Sequence, residues 1–220
     1  MKVSEHWLKT FINPSLSAAA LGEQLTNAGI EVDSLDFDAA TQQNIFTLKI
    51  PPNRGDCLSI EGIARELSLL NAIPYQATAA PSVEPSHSET FPVRIENPEL
   101  CPRYMGCVVK NIDNTAQIPD WLKERLASGG IRSLSPVVDI LNYVMLELGQ
   151  PMHAFDLATL ESELVARKSV AGERISALGD REIVLDAEAL VIADKSKVQA
   201  LAGIIGGLHS SVTEKTATIL

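Results

Sequence analysis

The clearest periodic pattern of the chain lies between Ser135 and Asp156. Apolar residues recur there at intervals of three and four, which places them on one face of a helix: Val137, Ile140, Leu141, Val144, Met145 and Leu148. The pattern predicts a buried helix with Ser135 as its N-cap, Pro136 in its first turn and Gly149 at its end. His153 follows in a turn, so a polar site next to this helix is expected.

Shorter patterns precede this helix. They predict three capped helices, whose N-caps are Ser4, Ser17 and Ser59. Between the second and third helices, apolar and polar residues alternate over 30–35 and 45–50, as in paired strands. A polar connector without structure of its own, 36–44, joins the two strands. Residues 1–76 are therefore predicted to form a small helical domain with a short strand pair.

A small, polar, proline-bearing run then interrupts the pattern. It predicts a linker over 77–88 and a second domain over 89–220. In that second domain, strand patterns predominate at both ends and helices lie in the middle. This order favours an α+β fold of layered sheets with helices rather than a doubly wound one.

Composition narrows the range of functions. The 220 residues carry 28 acidic and 18 basic side chains, a formal charge of −10. Because phosphates need clustered Lys and Arg, this chain is not expected to bind DNA, and any RNA contact must be local or assisted by a partner. No signal peptide and no membrane span is predicted, which favours the cytosol. The three cysteines, Cys57, Cys101 and Cys107, form no CxxC pair, so neither a metal site nor a disulfide framework is predicted.

Two polar side chains near the central helix could carry chemistry. His153, with Asp156 three residues later, could act as a general base or as a donor held by that carboxylate. The alternative, which spacing alone favours, is a turn histidine bonded to backbone. Asn142 lies at the edge of the apolar face, where most asparagines are half-exposed polar residues.

A glycine-rich segment and an arginine offer further candidates. The bare backbone of Gly203 to Gly207 could approach a ligand closely, although it lacks the spacing of a phosphate loop and could be a tight turn or a bulge. Arg54 could pair with a phosphate, but Asp56 is nearer along the chain and is the favoured partner.

Several long stretches together point to a family. In chain order these are MKVSEHWLKTFINP, NAGIEVDSL, IPPNRGDCLSIEGIARELSLLN, NPELCPRYMGCVVK, GIRSLSPVVDILNYVMLELGQPMHAFD and LVIADKSKVQALAGIIGGLHS. In this combination the chain resembles the N-terminal half of the β subunit of bacterial phenylalanyl-tRNA synthetase, and the resemblance covers nearly all of it.

The resemblance implies a small helical domain followed by an editing domain, which in the family hydrolyses tyrosine wrongly esterified to tRNA(Phe). A pocket shaped for a phenyl ring cannot strongly reject an added hydroxyl, so a second site removes the error. The positions matching Asn142 and His153 line that site in the family, and the glycine loop packs against the amino acid. The resemblance therefore suggests His153 as the catalytic residue, orienting a water, and the following as substrate-binding: Leu141, Asn142, Gly203, Gly206 and Gly207.

The family's partners follow from the same resemblance. They are the 3′ end of tRNA(Phe) with its amino acid and the synthetase α subunit. No cofactor is expected in this chain, because ATP and magnesium belong to the holoenzyme, and no ligation is expected from the chain alone.

Three departures from the family pattern bear on activity. The family inserts an oligonucleotide-binding domain where this chain has only 36–44. Leu141 stands where the family helix has a threonine. The sequence ends at Leu220, where the family continues with a glutamate that recognises the tyrosine hydroxyl. These departures leave a second hypothesis open, namely a non-catalytic tRNA-binding, amino-acid-binding or scaffold module derived from the editing domain.

Overall fold

The computed structural model describes residues 1–77, 80–179 and 181–220. It contains two compact units that interleave along the chain: unit 1 comprises Met1–Val83 and Gln117–Met152, and unit 2 comprises Glu84–Ala116 and His153–Leu220. The sequence predicted two domains that follow one another along the chain. In the structure, 117–152 belongs to unit 1, which contains the N-terminus, rather than to unit 2. The change of unit at Val83 falls within the predicted linker, of which Thr78 and Ala79 lie outside the described residues.

In its described residues, unit 1 combines five α-helices with a small sheet. Its elements are β1 (Lys2–Ser4), α1 (Glu5–Leu8), α2 (Ala18–Asn27), β2 (Glu31–Asp38), β3 (Gln43–Lys49), a 3₁₀ helix (Gly55–Cys57), α3 (Ile60–Asn71), α4 (Asp120–Ser128) and α5 (Pro136–Leu148). The strands are antiparallel in the order β1-β3-β2.

The predicted N-caps of the first three helices are confirmed. The hydroxyl of Ser4 accepts from the Trp7 amide at 3.0 Å, that of Ser17 accepts from Ala20, and that of Ser59 accepts from Gly62. Each bond satisfies an amide that the first turn of a helix leaves without a partner.

The predicted strand pair is also confirmed, but its connector is shorter than expected. The antiparallel ladder continues from Asp36 opposite Ile45 to Asp38 opposite Gln43. Backbone pairing thus extends the strands into the polar segment, and only 39–42 connect them. The prediction of an unstructured connector over 36–44 was wrong, because polar side chains do not prevent an edge ladder from forming.

Unit 1 encloses one hydrophobic core. Its fully or almost fully buried members include Val3, Phe11, Leu21, Leu25, Ile30, Phe46, Ile63 and Leu67. Tyr143 and Leu146 of α5 pack against this core. Arg54 pairs with Asp56 as predicted, with Nε 3.0 Å from Oδ1, and also with Glu66 at 2.7 Å.

Helix α5 forms where the sequence predicted it, but with a different buried face. Ile140 is 53% exposed and Leu148 is 48% exposed, whereas Asp139 and Glu147 are buried. The prediction of a buried apolar stripe was therefore wrong for these two residues, whereas the remaining members are buried or half-buried: Val137, Leu141, Val144 and Met145. The buried carboxylates have hydrogen-bond partners, which removes the main cost of placing them inside.

The N-terminus of α5 also differs from expectation. Ser135 makes no side-chain cap bond. Asp139 instead accepts from the Leu134 amide at 2.8 Å and from the Ser133 hydroxyl at 2.5 Å. At the other end, Gly149 terminates the helix with a φ of +75°, a left-handed conformation that favours glycine.

An aromatic cluster ties α4 and α5 to the N-terminal segment. The rings of Trp7 and Tyr143 stack with centroids 5.3 Å apart, and the guanidinium of Arg125 lies 5.1 Å from the Trp7 ring centroid. The carboxylate of Glu147 accepts from Trp7 Nε1 at 2.9 Å and from the hydroxyl of Tyr143. These contacts explain why 117–152 belong to unit 1.

The regular secondary structure in the described part of unit 2 consists mainly of strands. Its elements are β4 (Val93–Ile95), β5 (Val109–Lys110), a 3₁₀ helix (Leu157–Thr159), β6 (Leu164–Lys168), β7 (Arg174–Ala177), β8 (Arg181–Val184), β9 (Leu190–Ala193), β10 (Val198–Leu201), β11 (Ile205–Gly206) and β12 (Thr218–Ile219). The main sheet has the order β11-β10-β9-β6-β4, in which β4 pairs with β6 in parallel and the other neighbouring strands pair antiparallel. With the helices of unit 1, this mixed sheet confirms the α+β class. None of the helices in the described residues is long and apolar enough to cross a bilayer.

Candidate functional site

His153 is the first residue of the second segment of unit 2, and its ring packs on two neighbours. The centroids of the His153 and Phe155 rings are 4.5 Å apart in an edge-to-face arrangement. On another side lies the backbone of Gly206, so close that a β-carbon there would overlap Cε1 of the imidazole and come within 2.8 Å of Nε2. The sequence-predicted residues His153 and Gly206 are thus brought together, and only glycine fits beside the ring.

The β10–β11 hairpin holds Gly206 in this position. Gly206 pairs with Ala200 across the hairpin, and its carbonyl accepts from the Leu178 amide at 3.0 Å. Phe155, the other neighbour of the ring, is buried and exchanges two backbone hydrogen bonds of 3.0 Å with Leu220. Both neighbours of the His153 ring, Phe155 and Gly206, are therefore held in place by backbone pairing.

Asp156 does not hold His153. Its carboxylate accepts from the amide of Ala158 at 3.0 Å and from the hydroxyl of Thr216 at 2.6 Å, which fixes the turn after His153. The prediction that Asp156 orients the imidazole was wrong, because capping the 3₁₀ helix occupies the carboxylate. Among the described residues, the ring of His153 makes no hydrogen bond.

The surroundings of His153 favour its neutral form. Although His153 is an exposed residue by its accessible surface, the neighbours packed on the ring remove part of its hydration, which disfavours the imidazolium and lowers the pKa below its usual 6.5. Near neutral pH one ring nitrogen therefore has a free lone pair. Such a group can accept a proton from a water molecule held against it.

The other two glycines of the predicted loop have different roles. Gly203 lies in the turn of the β10–β11 hairpin with a φ of +71°, and the Ile204 amide donates to the Leu201 carbonyl at 3.0 Å. It is exposed, with open space where a β-carbon would be. Gly207 donates its amide to the Gln199 carbonyl at 2.7 Å. Gly203 therefore lies in a tight turn, which was one of the alternatives predicted from the sequence. Of the three predicted glycines, Gly206 is the one that contacts the ring of His153.

Leu141 and Asn142 lie on α5 and so belong to unit 1, not to the unit that contains His153. Both are half-buried. The side-chain amide of Asn142 has no hydrogen-bond partner among the described residues, so its donors and acceptor remain available. The part of Leu141 and Asn142 in substrate binding stays a prediction that rests on the resemblance to the family.

Sequence reasoning missed Phe155 as a neighbour of His153. The alternation of His153 and Phe155 was a usable signal, because in an extended segment residues two apart lie on one side. No local signal connects His153 with Gly206, since pairing between segments 53 positions apart depends on the assembled sheet. Within the described part of the chain, no cluster of three His, Cys, Asp or Glu residues could hold a metal ion.

Comparison with known proteins adds a family to this geometry. The family model described as "B3/4 domain" matches residues 100–220, more than half of the chain. The chain belongs to the B3/4 domain family. The matched region contains β5–β12, including His153, Phe155 and Gly206.

Full-length relatives extend the match toward the N-terminus. The chain is 49% identical over 176 residues to the phenylalanine–tRNA ligase β subunit of Hahella chejuensis, a match that covers 80% of this chain and 22% of that protein. It is 44% identical over 202 residues to the β subunit of Methylococcus capsulatus, covering 92% of this chain and 25% of that protein. The resemblance to phenylalanyl-tRNA synthetase β subunits is thereby confirmed, and the chain spans about a quarter or less of the length of these curated relatives.

One solved structure is also similar. It is an N-terminal fragment of the phenylalanyl-tRNA synthetase β subunit from Pyrococcus horikoshii, with a TM-score of 0.49 and 17% sequence identity. The match covers 100% of this chain and 66% of that one.

Proposed function

We propose that this chain carries the editing step of a phenylalanine–tRNA ligase β subunit, the hydrolysis of the ester that joins tyrosine to tRNA(Phe). The observation that carries the proposal is the neutral imidazole of His153 against the Gly206 backbone, in the region that matches the B3/4 domain. The names of the relatives support the assignment to the β subunit.

The need for such a step follows from the chemistry of recognition. A pocket that accepts phenylalanine discriminates poorly against tyrosine, which only adds a hydroxyl. A second site can remove the product of that error if it binds the tyrosyl ester. Hydrolysis then returns the tRNA for another round of charging.

In the proposed reaction, His153 positions a water and accepts one of its protons. The water oxygen attacks the carbonyl carbon of the ester, the bond from that carbon to the ribose oxygen breaks, and the ribose oxygen receives the proton that His153 accepted. The products are tyrosine and uncharged tRNA, and the new carboxyl group of tyrosine releases its proton to solvent. The close approach of the Gly206 backbone to His153 keeps the ring in a fixed place during these steps.

Deacylation of Tyr-tRNA(Phe) by the purified chain tests the proposal. The tyrosyl ester is expected to disappear faster than without protein, and His153→Ala is expected to lower the rate on the order of 10²-fold, as for loss of a general base. His87→Ala is the matched control, because His87 lies in the segment before β4 and is not among the residues that contact the His153 ring. Equal rates with and without protein would show that this chain does not hydrolyse the ester.

A specific observation also favours a second candidate, a binding module without turnover. No described residue hydrogen-bonds His153, and Leu141 supplies apolar bulk where the family has a hydroxyl. This candidate predicts that calorimetry detects binding of tyrosine, tRNA(Phe) or an α subunit while no ester is lost. Absence of heat with all three ligands would exclude it.

Within either role we propose that the chain works in the cytoplasm with tRNA(Phe) and a synthetase α subunit. Aminoacylation itself, with its ATP and magnesium, is assigned to the holoenzyme rather than to this chain.

A further inference from the structure

A second polar feature of unit 2 lies beside β7 and β10. It is a cleft of about 260 Å³. Its lining residues are Arg174, Ile175, Ser176, Lys197, Val198, Gly207 and His209. The four polar side chains of this set (Arg174, Ser176, Lys197 and His209) are exposed, so the cleft opens to solvent, and we call it the basic cleft.

The fold assembles the basic cleft from three separate segments. Along β7, Arg174 and Ser176 are two positions apart and share the exposed face of the strand. Beside them run residues 206–208, with the Leu208 amide donating to the Ser176 carbonyl at 2.7 Å. Lys197 comes from the β9–β10 turn, and its ammonium lies 3.2 Å from Nε2 of His209.

The charge of the cleft is opposite to that of the chain. The protein carries a net charge of −10, yet the lining holds the guanidinium of Arg174 and the ammonium of Lys197, and no acidic residue is among the lining residues in the described part of the chain. The nearest ion pair is between Arg174 and Glu182, at 3.2 Å. Both of those side chains are about 60% exposed, so the pair is weak and an incoming anion can compete with Glu182 for Arg174.

The donors in the cleft suit a phosphate group. A guanidinium offers two parallel donors to phosphate oxygens, and a lysine adds a compact positive charge. Ser176 contributes a hydroxyl that hydrogen-bonds no described residue. Three kinds of donor therefore converge on a space large enough for a phosphate and part of a sugar.

We propose that the basic cleft binds a backbone phosphate of a single RNA strand. The choice of RNA over another phosphate source rests on the proposed function, whose substrate is an aminoacylated tRNA. Because the overall acidic charge repels a polynucleotide, this local contact is needed to hold the strand on unit 2. Phosphate binding by the basic cleft does not depend on the catalytic role proposed for His153.

Binding of a fluorescein-labelled, uncharged single-stranded RNA, measured by anisotropy over a series of salt concentrations, tests the proposal. The double variant Arg174→Gln/Lys197→Gln is expected to bind about tenfold more weakly. Losing one phosphate contact should also reduce the slope of log K against log salt by about 0.7. Inorganic phosphate is expected to compete with the RNA on the unaltered chain and not on the variant.

The matched control is Arg181→Gln/Lys195→Gln, which changes the net charge equally. Both residues are exposed and lie on the same hairpins, but neither lines the cleft. Circular dichroism of both variants establishes that each is folded.

Equal weakening by the two double variants would overturn the proposal in favour of a diffuse charge effect. The proposal would also be overturned if the cleft variant bound RNA as tightly as the unaltered chain, or if neither of these two proteins bound RNA. Because uncharged RNA is used, failure of ester hydrolysis leaves this result unaffected, and the two proposals fail separately.

Discussion

At the scale of single residues, the close approach of Gly206 to His153 is the feature that constrains the proposed site most. Burial of the ring lowers its pKa, and the absence of a side chain at position 206 gives the ring its space. Asp156, the carboxylate nearest in sequence, serves the turn instead. The chemistry of His153 thus depends on packing rather than on a charged partner.

Gly206→Ala is expected to displace the imidazole, because the new methyl group would occupy the same space. We expect a loss of about 1–3 kcal/mol in the free energy of unfolding, typical of overpacking, and a loss of ester hydrolysis comparable with that of His153→Ala. Urea unfolding and the deacylation assay measure the two effects. Gly55→Ala is the control, since a β-carbon at that position meets open space. An unchanged rate in Gly206→Ala would mean that the position of the ring does not matter for hydrolysis.

The lowered pKa of His153 also predicts a pH dependence of stability. The unfolded chain binds a proton at an ordinary pKa of about 6.5, whereas the folded chain binds it only at lower pH. The free energy of unfolding therefore falls as the pH decreases through 6.5 toward the folded pKa. Urea unfolding at about pH 7.5 and about pH 5.5 should show a smaller decrease for His153→Gln than for the unaltered chain. A decrease of the same size in both proteins would contradict the assigned direction of the shift.

At the scale of elements, α5 shows how packing can override an apolar pattern. The face of α5 that carries Asp139, Tyr143 and Glu147 faces the core of unit 1. Burial of Glu147 is possible because its carboxylate accepts hydrogen bonds from Trp7, Tyr143 and Arg125. By contrast, α3 follows its pattern, with Ile60, Ile63, Ala64 and Leu67 buried. The polar side of α3 also has partners, since Glu66 pairs with Arg54, but these contacts leave the apolar face buried.

The core side of α3 protects Cys57, whose buried position raises the pKa of the thiol to about 11. Leu67→Ala removes a fully buried side chain and is expected to cost about 3 kcal/mol. Because 1.4 kcal/mol corresponds to a factor of ten, Cys57 should then react with a thiol reagent about 100-fold faster. Leu69→Ala, at a position on the same helix that is 80% exposed, is the control. Similar labelling rates in the two variants would show that Cys57 is not protected by this core.

At the scale of the whole molecule, the two units interleave, so neither is a continuous stretch of chain. Unit 1 needs its second segment because Trp7, only 2% exposed, is covered by a stacked Tyr143 and a hydrogen-bonded Glu147. A large aromatic side chain left without such neighbours would expose its apolar surface to water.

This arrangement predicts how pieces of the chain behave. Residues 1–83 joined by a flexible linker to 117–152 should keep the fluorescence of Trp7 at short wavelength, as in the whole chain, while residues 1–83 alone should show a shift to longer wavelength. Trp121→Phe in the joined and whole chains leaves Trp7 as the only tryptophan, since the sequence has two. Identical spectra for 1–83 alone and for the joined chain would argue that α4 and α5 do not complete unit 1.

The sequence by itself determined the α+β class, the three serine N-caps, the end of α5 at Gly149 and the family resemblance. The fold class, the caps and the helix end were predictable because each depends on groups within a few residues of one another, or on a pattern that repeats along one element. The pairing of Arg54 with Asp56 was predictable for the same reason.

Only the tertiary structure decided which face of α5 is buried, which unit contains 117–152, and which glycine lies against His153. Trp7 and Glu147 form their hydrogen bond across 140 positions, and neither residue has a local signal for the other. The same holds for the basic cleft, whose cations come from separate strands and turns. Contacts of this kind depend on the energy of the whole assembled core, in which a buried carboxylate is acceptable once distant donors surround it.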